Sequence, residues 1–274
     1  MPFVDCDGAE LYYESYGEGP VLVLAHGVGG NHASWYHQIP VFSKSYRVIA
    51  FDHRGFGKST DVKGLGRAAF VDDLGRLIDK LELDKVVLIA QSMGGGTCLG
   101  YTCQHPERVR ALVLADTMVG FKEPEDIREY MVEARAKTET LSQVERVLGP
   151  RVREKEPEKA LLYTQIAGFN AVNRKTLKGS LARTYSPEDL AATGVPVLFV
   201  VGLDDVLFPP KAVKVIQARV KGSFLVEIAG AGHSAYYESP AEFNDSVLSF
   251  LQAVGVKGVA RAGHSNAPGY TPVS

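Results

Sequence analysis

Val86-Val87-Leu88-Ile89-Ala90-Gln91-Ser92-Met93-Gly94-Gly95-Gly96 joins three kinds of sequence in one short segment. The unbroken apolar run 86–90 has the length and β-branched content of a strand buried on both faces. The glycines open a small-residue helix over 94–104 that stops before Pro106, as a helix must when a proline follows. A serine set between strand and helix has the context of a nucleophile elbow, where a strained turn presents the side chain. Residues two before and two after such a serine must be small so that strand and helix can approach. They are Ala90, where glycine is usual, and Gly94. The competing reading is a glycine-rich helix start that holds a phosphate. It lacks the lysine of a phosphate loop, and G-x-G-x-x-G does not occur there.

Outward from this segment the same rhythm repeats. Strand-like runs occupy 11–16, 21–25, 46–51, 111–115, 197–201 and 223–228. Amphipathic or proline-opened helices fall at 68–81, 209–219 and 240–253. In 68–81, Phe70, Leu74, Leu77, Ile78 and Leu81 share one face, with Asp72, Asp73 and Arg76 opposite. Alternating strand and helix predicts a three-layer α/β sandwich with a mostly parallel sheet. Residues 117–193 break the rhythm: they hold no strand run but read as helices at 123–137, 141–148, 157–169 and a capped turn at 186–190. An insert of this length is expected to act as a lid over a site. The division is therefore a core of 1–116 and 194–254, a helical lid of 117–193 and a Gly/Pro-rich tail of 255–274.

A serine hydroxyl is a poor nucleophile until a base takes its proton. Of the seven histidines, only His233 follows a late strand, in Ala229-Gly230-Ala231-Gly232-His233-Ser234, where glycines let the loop turn back. The base needs a carboxylate to hold its tautomer. Gly202-Leu203-Asp204-Asp205 follows the penultimate strand, and Asp205 is the expected partner. Asp204 is the near alternative and Asp116 the distant one, better suited to bonding loop backbone. Acyl transfer also needs two N–H donors for the developing oxyanion. The amide after the serine, Met93, supplies one, and Val28 in His26-Gly27-Val28-Gly29-Gly30 is expected to supply the other. Trp35, Met118, Val206 and Tyr236, beside these motifs in sequence, are expected to line an apolar pocket with Val28 and Met93. Six arginines of the insert, Arg128, Arg135, Arg151, Arg153, Arg174 and Arg183, are mostly expected in solvent; one facing inward would bind a substrate carboxylate.

Taken together, His26-Gly27, Asp52-His53-Arg54-Gly55-Phe56-Gly57-Lys58-Ser59, the serine elbow, Gly202-x-x-Asp205 and Gly232-His233 resemble an α/β-hydrolase-fold enzyme of the lidded single-domain type, over about residues 10–253. The order Ser92, Asp205, His233 is that of this fold. The resemblance implies a sheet of about eight strands with only the second antiparallel, and a lid between strands six and seven. It also implies that the 52–59 segment is scaffold, with Arg54 holding loops. It extends to carboxylesterases and enol-lactone hydrolases such as 3-oxoadipate enol-lactonase. The expected reaction is hydrolysis of a carboxylic ester or lactone through an acyl-enzyme. Branches of the fold with an aspartate nucleophile are excluded by Ser92. Hydrolases of carbon–carbon bonds in ring-cleavage products usually carry tryptophan after the histidine; Ser234 stands there. A small-molecule receptor or a perhydrolase on the same fold is the remaining alternative.

Composition narrows the partners. The chain has 274 residues, 30 basic against 32 acidic side chains and a formal net charge of −2, so no basic surplus speaks for nucleic acid or an anionic membrane. The three cysteines, Cys6, Cys98 and Cys103, are too few and too odd in number for a disulfide framework and are expected as free thiols. The N-terminal residues carry neither a basic nor an apolar signal region, and no apolar run is long enough to span a bilayer. The expectation is a cytoplasmic monomer or homodimer that needs no cofactor or metal and acts on a small-molecule ester or lactone.

Overall fold

The computed structural model describes residues 2–259. One sheet contains eight strands: β1 (Phe3–Asp5), β2 (Glu10–Tyr16), β3 (Val21–Ala25), β4 (Arg47–Phe51), β5 (Val86–Gln91), β6 (Val109–Ala115), β7 (Val197–Gly202) and β8 (Phe224–Ile228). Their spatial order is β1-β2-β4-β3-β5-β6-β7-β8. β2 pairs antiparallel with both β1 and β4, and every other pair is parallel. Among the described strands only β2 therefore runs against the rest, as the resemblance implies. β1 has no sequence signal, because its three residues are too few to show a period; it forms by pairing Val4 opposite Leu11.

The continuous apolar runs follow from burial on both faces. Along β3, Val23 and Ala25 join one core while Leu22 and Leu24 join the other; along β5, Val86, Leu88 and Ala90 oppose Val87 and Ile89. Helix α1 (Ile39–Phe42) lies on the second face, and α2 (Phe70–Lys80) and α3 (Met93–Gln104) lie on the first. Five helices follow between β6 and β7: α4 (Glu125–Glu139), α5 (Gln143–Val147), α6 (Pro150–Lys155), α7 (Pro157–Gly168) and α8 (Pro187–Ala191). α8 starts on a capping box, with Ser186 Oγ accepting from Asp189 N at 3.1 Å and the Asp189 carboxylate accepting from Ser186 N at 2.8 Å. α6 was not expected, since a six-residue charged turn has no apolar period to read. α9 (Pro210–Arg219), α10 (Ala235–Glu238) and α11 (Pro240–Ala253) complete the layers.

Asp73 departs from the amphipathic reading of α2. It is buried, not on the solvent face, because the buried Arg54 reaches it from the loop after β4. Arg54 Nη2 and Nε donate to the two Asp73 oxygens at 2.6 and 2.7 Å, Nη1 donates to Asp61 at 3.3 Å, and Nη2 also donates to Cys6 O at 3.0 Å. The 52–59 segment is thus scaffold pinned by one bidentate pair. Of the expected tail, residues 255–259 pack on the core: Val256 is buried and Val259 N donates to Ser45 O at 2.9 Å. The remainder, 260–274, lies outside the described residues. Cys6, Cys98 and Cys103 are free thiols.

β3 has β4 on one side and β5 on the other. The connections therefore leave β3 and β5 in opposite senses, which opens a crevice at their C-terminal ends. That is where the site forms.

Candidate active site

Ser92 caps α3 with φ 48° and ψ −114°, a left-handed backbone that is costly for a residue with a side chain. Three hydrogen bonds hold it: Ser92 N donates to Ala115 O at 3.0 Å, and Ser92 O accepts from Gly95 N at 2.8 Å and Thr117 Oγ1 at 2.7 Å. The two flanking glycines are required by distance. A Cβ on Gly94 would lie 2.2 Å from Ala25 O, and one on Gly27 would lie 2.0 Å from Gln91 Oε1. Helix and strand thus meet at backbone contact beside the serine, and the 26–30 loop lies against the Gln91 side chain.

His233 and Asp205 come to the serine from the loops after β8 and β7. His233 Nε2 lies 2.8 Å from Ser92 Oγ, and His233 Nδ1 lies 2.9 Å from Asp205 Oδ2. Asp205 and His233 are both buried. The other Asp205 oxygen accepts from Leu207 N at 2.7 Å and Phe208 N at 3.1 Å, so the carboxylate cannot rotate freely. Burial works against a charged imidazole. The Asp205 charge and hydrogen bond, with the charges of Asp116 and Glu238, outweigh it and hold His233 above the ordinary histidine value. The arrangement can take a proton from Ser92 and stabilise the imidazolium that results.

The alternatives fall elsewhere. Asp204 is exposed. Asp116 is buried and bonds backbone, accepting from Gly202 N at 2.8 Å and Ala235 N at 2.9 Å. It clamps the loops that carry Asp205 and His233. Burial, then the charge of Asp205, push its pKa up.

The 26–30 loop is fixed by His26. Burial lowers the His26 pKa to about 4, so the ring is neutral. Its Nδ1 donates to Gly27 O at 2.8 Å and its Nε2 accepts from His53 N at 3.0 Å. Val28 and Met93 both border the cavity above Ser92. Neither of their amides is paired with another backbone group among the described residues.

That cavity is about 600 Å³ and is walled by Val28, Met93, Val119, Val147, Leu207 and Phe208 among its apolar residues. A second lobe of about 650 Å³ shares Val28, Gly29, Glu139, Gln143 and Arg174 with it. Four expected pocket residues are not on its walls. Trp35 and Tyr236 stack on each other in the core beneath, with ring centroids 4.5 Å apart. Met118 packs into the opposite core cluster, and Val206 lies on an outer groove. Adjacency in sequence does not fix which side of a loop a side chain takes. Arg174 and Arg135 do reach the cavity, joined by Arg67 and Arg146, which no sequence signal marked.

Three more residues that no sequence motif marks brace the site. Gln91 Nε2 donates to His233 O at 2.7 Å, tying the end of β5 to the histidine loop. Buried Glu238 accepts from Gly232 N at 2.9 Å, Ser234 N at 3.2 Å and Gly149 N at 2.7 Å. It joins the helices between β6 and β7 to the backbone on either side of His233. Tyr163 of α7 presses its hydroxyl on Gly29, where a Cβ would sit 2.1 Å away. The spacing from His233 to Glu238 was the one visible cue, and it has no meaning until α10 folds.

Known proteins agree with the architecture. Residues 20–240 match the alpha/beta hydrolase fold family. The 2-hydroxy-6-oxo-6-(2'-aminophenyl)hexa-2,4-dienoic acid hydrolase of Metapseudomonas resinovorans is 30% identical over 266 residues, covering 91% of this chain and 90% of the relative. A thermophilic esterase from Thermogutta terrifontis superposes with a TM-score of 0.76 at 25% identity, over 92% of this chain and 98% of that one. Est816, described as an N-acyl homoserine lactone degrading enzyme, superposes with a TM-score of 0.77 at 26% identity, over 91% of this chain and 100% of its own. By sequence and by architecture, this chain belongs to the alpha/beta hydrolase fold family.

Proposed function

We propose that this protein is a serine hydrolase that cleaves a carboxylic ester or lactone of a small to medium molecule through an acyl-enzyme on Ser92. The observation that carries the proposal is the hydrogen-bonded chain from Ser92 Oγ through both nitrogens of His233 to Asp205, at 2.8 and 2.9 Å, opening into a cavity. His233 takes the Ser92 proton as Oγ attacks the carbonyl carbon. The Met93 and Val28 amides stabilise the oxyanion. The tetrahedral intermediate collapses, and His233 gives its proton to the departing alcohol oxygen. A water then loses a proton to His233 and attacks the acyl-enzyme, and His233 returns that proton to Ser92 Oγ as the acid is released. The segment between β6 and β7 serves as the lid, with α4, α5 and α7 bordering this cavity. Similarity to an esterase and to a lactone degrading enzyme supports the ester and lactone classes.

The 30% identity to a dienoic acid hydrolase favours a second reading, hydrolysis of a ring-cleavage product. Ser234 after the histidine weighs against it. Labelling with a fluorophosphonate, read by peptide mass, is expected at Ser92 and absent in Ser92→Ala. Ester turnover in that variant should fall by roughly 10⁶-fold. Labelling elsewhere, or retained turnover, would defeat the mechanism. A panel of esters, lactones and ring-cleavage products separates the two readings.

A further inference from the structure

The cavity above Ser92 has an unusual charge. Its wall carries four guanidinium groups, Arg67, Arg135, Arg146 and Arg174, against one carboxylate, Glu139. The chain as a whole has a net charge of −2, so this is not a generally basic surface. Arg135 is already ion-paired with Glu123. Arg146 Nη1 donates to Thr138 O at 2.5 Å, which leaves its other donors open. Among the described residues, the Arg67 and Arg174 side chains have no hydrogen-bond or ion-pair partner. Arg54 is the contrast within the same molecule, a buried guanidinium saturated by Asp73, Asp61 and Cys6 O.

The three open arginines reach the cavity from three separate segments. Arg67 stands on the short 3₁₀ turn Gly66–Ala69 that leads into α2, Arg146 on α5 and Arg174 after α7. The Arg67 turn is rigid: the Asp61 carboxylate accepts from Leu65 N at 3.0 Å and Gly66 N at 2.9 Å, and Arg67 N donates to Lys178 O at 3.1 Å. Burial pulls down the pKa of Arg67, and burial with the like charge of Arg174 does the same for Arg146. A guanidinium stays charged at any ordinary pH. Arg67 and Arg146 are partly desolvated and have no ionic partner, so an anion that joins them is favoured, and Arg174 adds a third charge at the cavity.

We propose that Arg67, Arg146 and Arg174 form a carboxylate subsite of the Ser92 cavity, so that the ester or lactone cleaved there also carries a carboxylate remote from the scissile bond. This rests on the serine hydrolase reading. A planar carboxylate fits the guanidinium fork in bidentate fashion. The apolar wall of Val119, Val147, Leu207 and Phe208 suits a hydrocarbon spacer between the anion and the reacting carbonyl. Glu139 on the same wall disfavours a substrate of higher negative charge.

The test compares each monomethyl ester of succinate, glutarate, adipate, pimelate and suberate with its neutral dimethyl ester, near pH 7.5, where the free acid is ionised. For at least one chain length, kcat/KM should favour the monoacid by roughly tenfold or more, and added salt should shrink that ratio. In Arg67→Gln, Arg146→Gln and Arg174→Gln the ratio should move toward one. A ratio at or below one at every length overturns the subsite while ester turnover keeps the hydrolase reading. A preference unchanged in all three variants also overturns it. Calorimetry on the Ser92→Ala protein separates the two readings from the other side. There, tighter binding of the monoacid than of the diester sustains the subsite even if the wild type hydrolyses neither.

Discussion

Replacing Asp205 by Asn changes one atom and should nearly silence the site. In the native protein Oδ1 accepts two N–H groups, from Leu207 at 2.7 Å and Phe208 at 3.1 Å, and Oδ2 faces His233 Nδ1 at 2.9 Å. An asparagine has one oxygen and one NH₂ to place. Turning the NH₂ toward Leu207 and Phe208 would leave two part-buried donors unpaired, at up to about 1–3 kcal/mol each. Turning it toward His233 costs only an exchange of donor and acceptor. The oxygen therefore stays with the two amides and the NH₂ points at Nδ1. Nδ1 must then accept, so the ring proton moves to Nε2, which faces Ser92 Oγ and can no longer take its proton. Loss of the orienting carboxylate in this manner lowers turnover by roughly 10⁴-fold, about 5.5 kcal/mol of transition-state stabilisation. The assay is kcat/KM for p-nitrophenyl acetate across pH, with thermal melting as a control for folding. In the wild type the acid limb should lie above the ordinary histidine value, because kcat/KM needs neutral His233 and its pKa is raised. In Asp205→Asn the surviving activity should have that limb at lower pH, since burial then acts without the Asp205 charge. A loss smaller than about tenfold, with a severe loss in Asp116→Asn or Asp204→Asn instead, would refute the reasoning.

Two further outcomes concern stability. Gly94→Ala should destabilise by about 1–3 kcal/mol because its Cβ meets the Ala25 carbonyl, whereas Gly75→Ala in α2, where the nearest atom is an ordinary 3.4 Å away, should stabilise by up to about 1 kcal/mol; paired melting curves that move in the same direction would contradict this. Burial raises Glu238 from 4.5 to about 7, so the native state holds a proton that the unfolded chain has released, and stability should fall on the order of 3 kcal/mol as pH rises from about 5 to 7. The raised His233 adds a further loss above its unfolded pKa, and a melting temperature that climbs over this range would rule the Glu238 contribution out.

Much of the site is legible in the chain because it is made of strand ends. An apolar run followed directly by Gln91-Ser92 or Gly202-x-x-Asp205, or by a short glycine-rich loop to Gly232-His233, places each group on the same edge of a parallel sheet, whatever the intervening chain does. The choice of Asp205 over Asp204 is different. Both sit on one turn, and what turns Asp205 inward is its amide donating to Gly202 O at 3.1 Å and its carboxylate accepting from Leu207 and Phe208. The misplaced residues share one cause. Trp35, Met118, Val206 and Tyr236 were read by their neighbours along the chain, but a loop side chain goes where packing sends it, into core or outward.

By itself, then, the sequence determines the α/β layering, the one reversed strand through family resemblance, and which residue types stand at the strand ends. The layering and the strand-end residues rest on periodicity and on small residues at forced contacts, both of which are local; the reversed strand rests on the resemblance alone. The tertiary structure alone decides that Gln91 and Glu238 brace His233, that Tyr163 lies on Gly29, and that Arg67, Arg146 and Arg174 surround one cavity. Gln91 and His233, Tyr163 and Gly29, and the three arginines are far apart in the chain and carry no shared period, while Glu238 meets its near neighbours Gly232 and Ser234 only once α10 has folded. The sheet brings Gln91 to the His233 loop, and the packing of the segment between β6 and β7 on the sheet edge brings Tyr163, Arg146 and Arg174 to theirs.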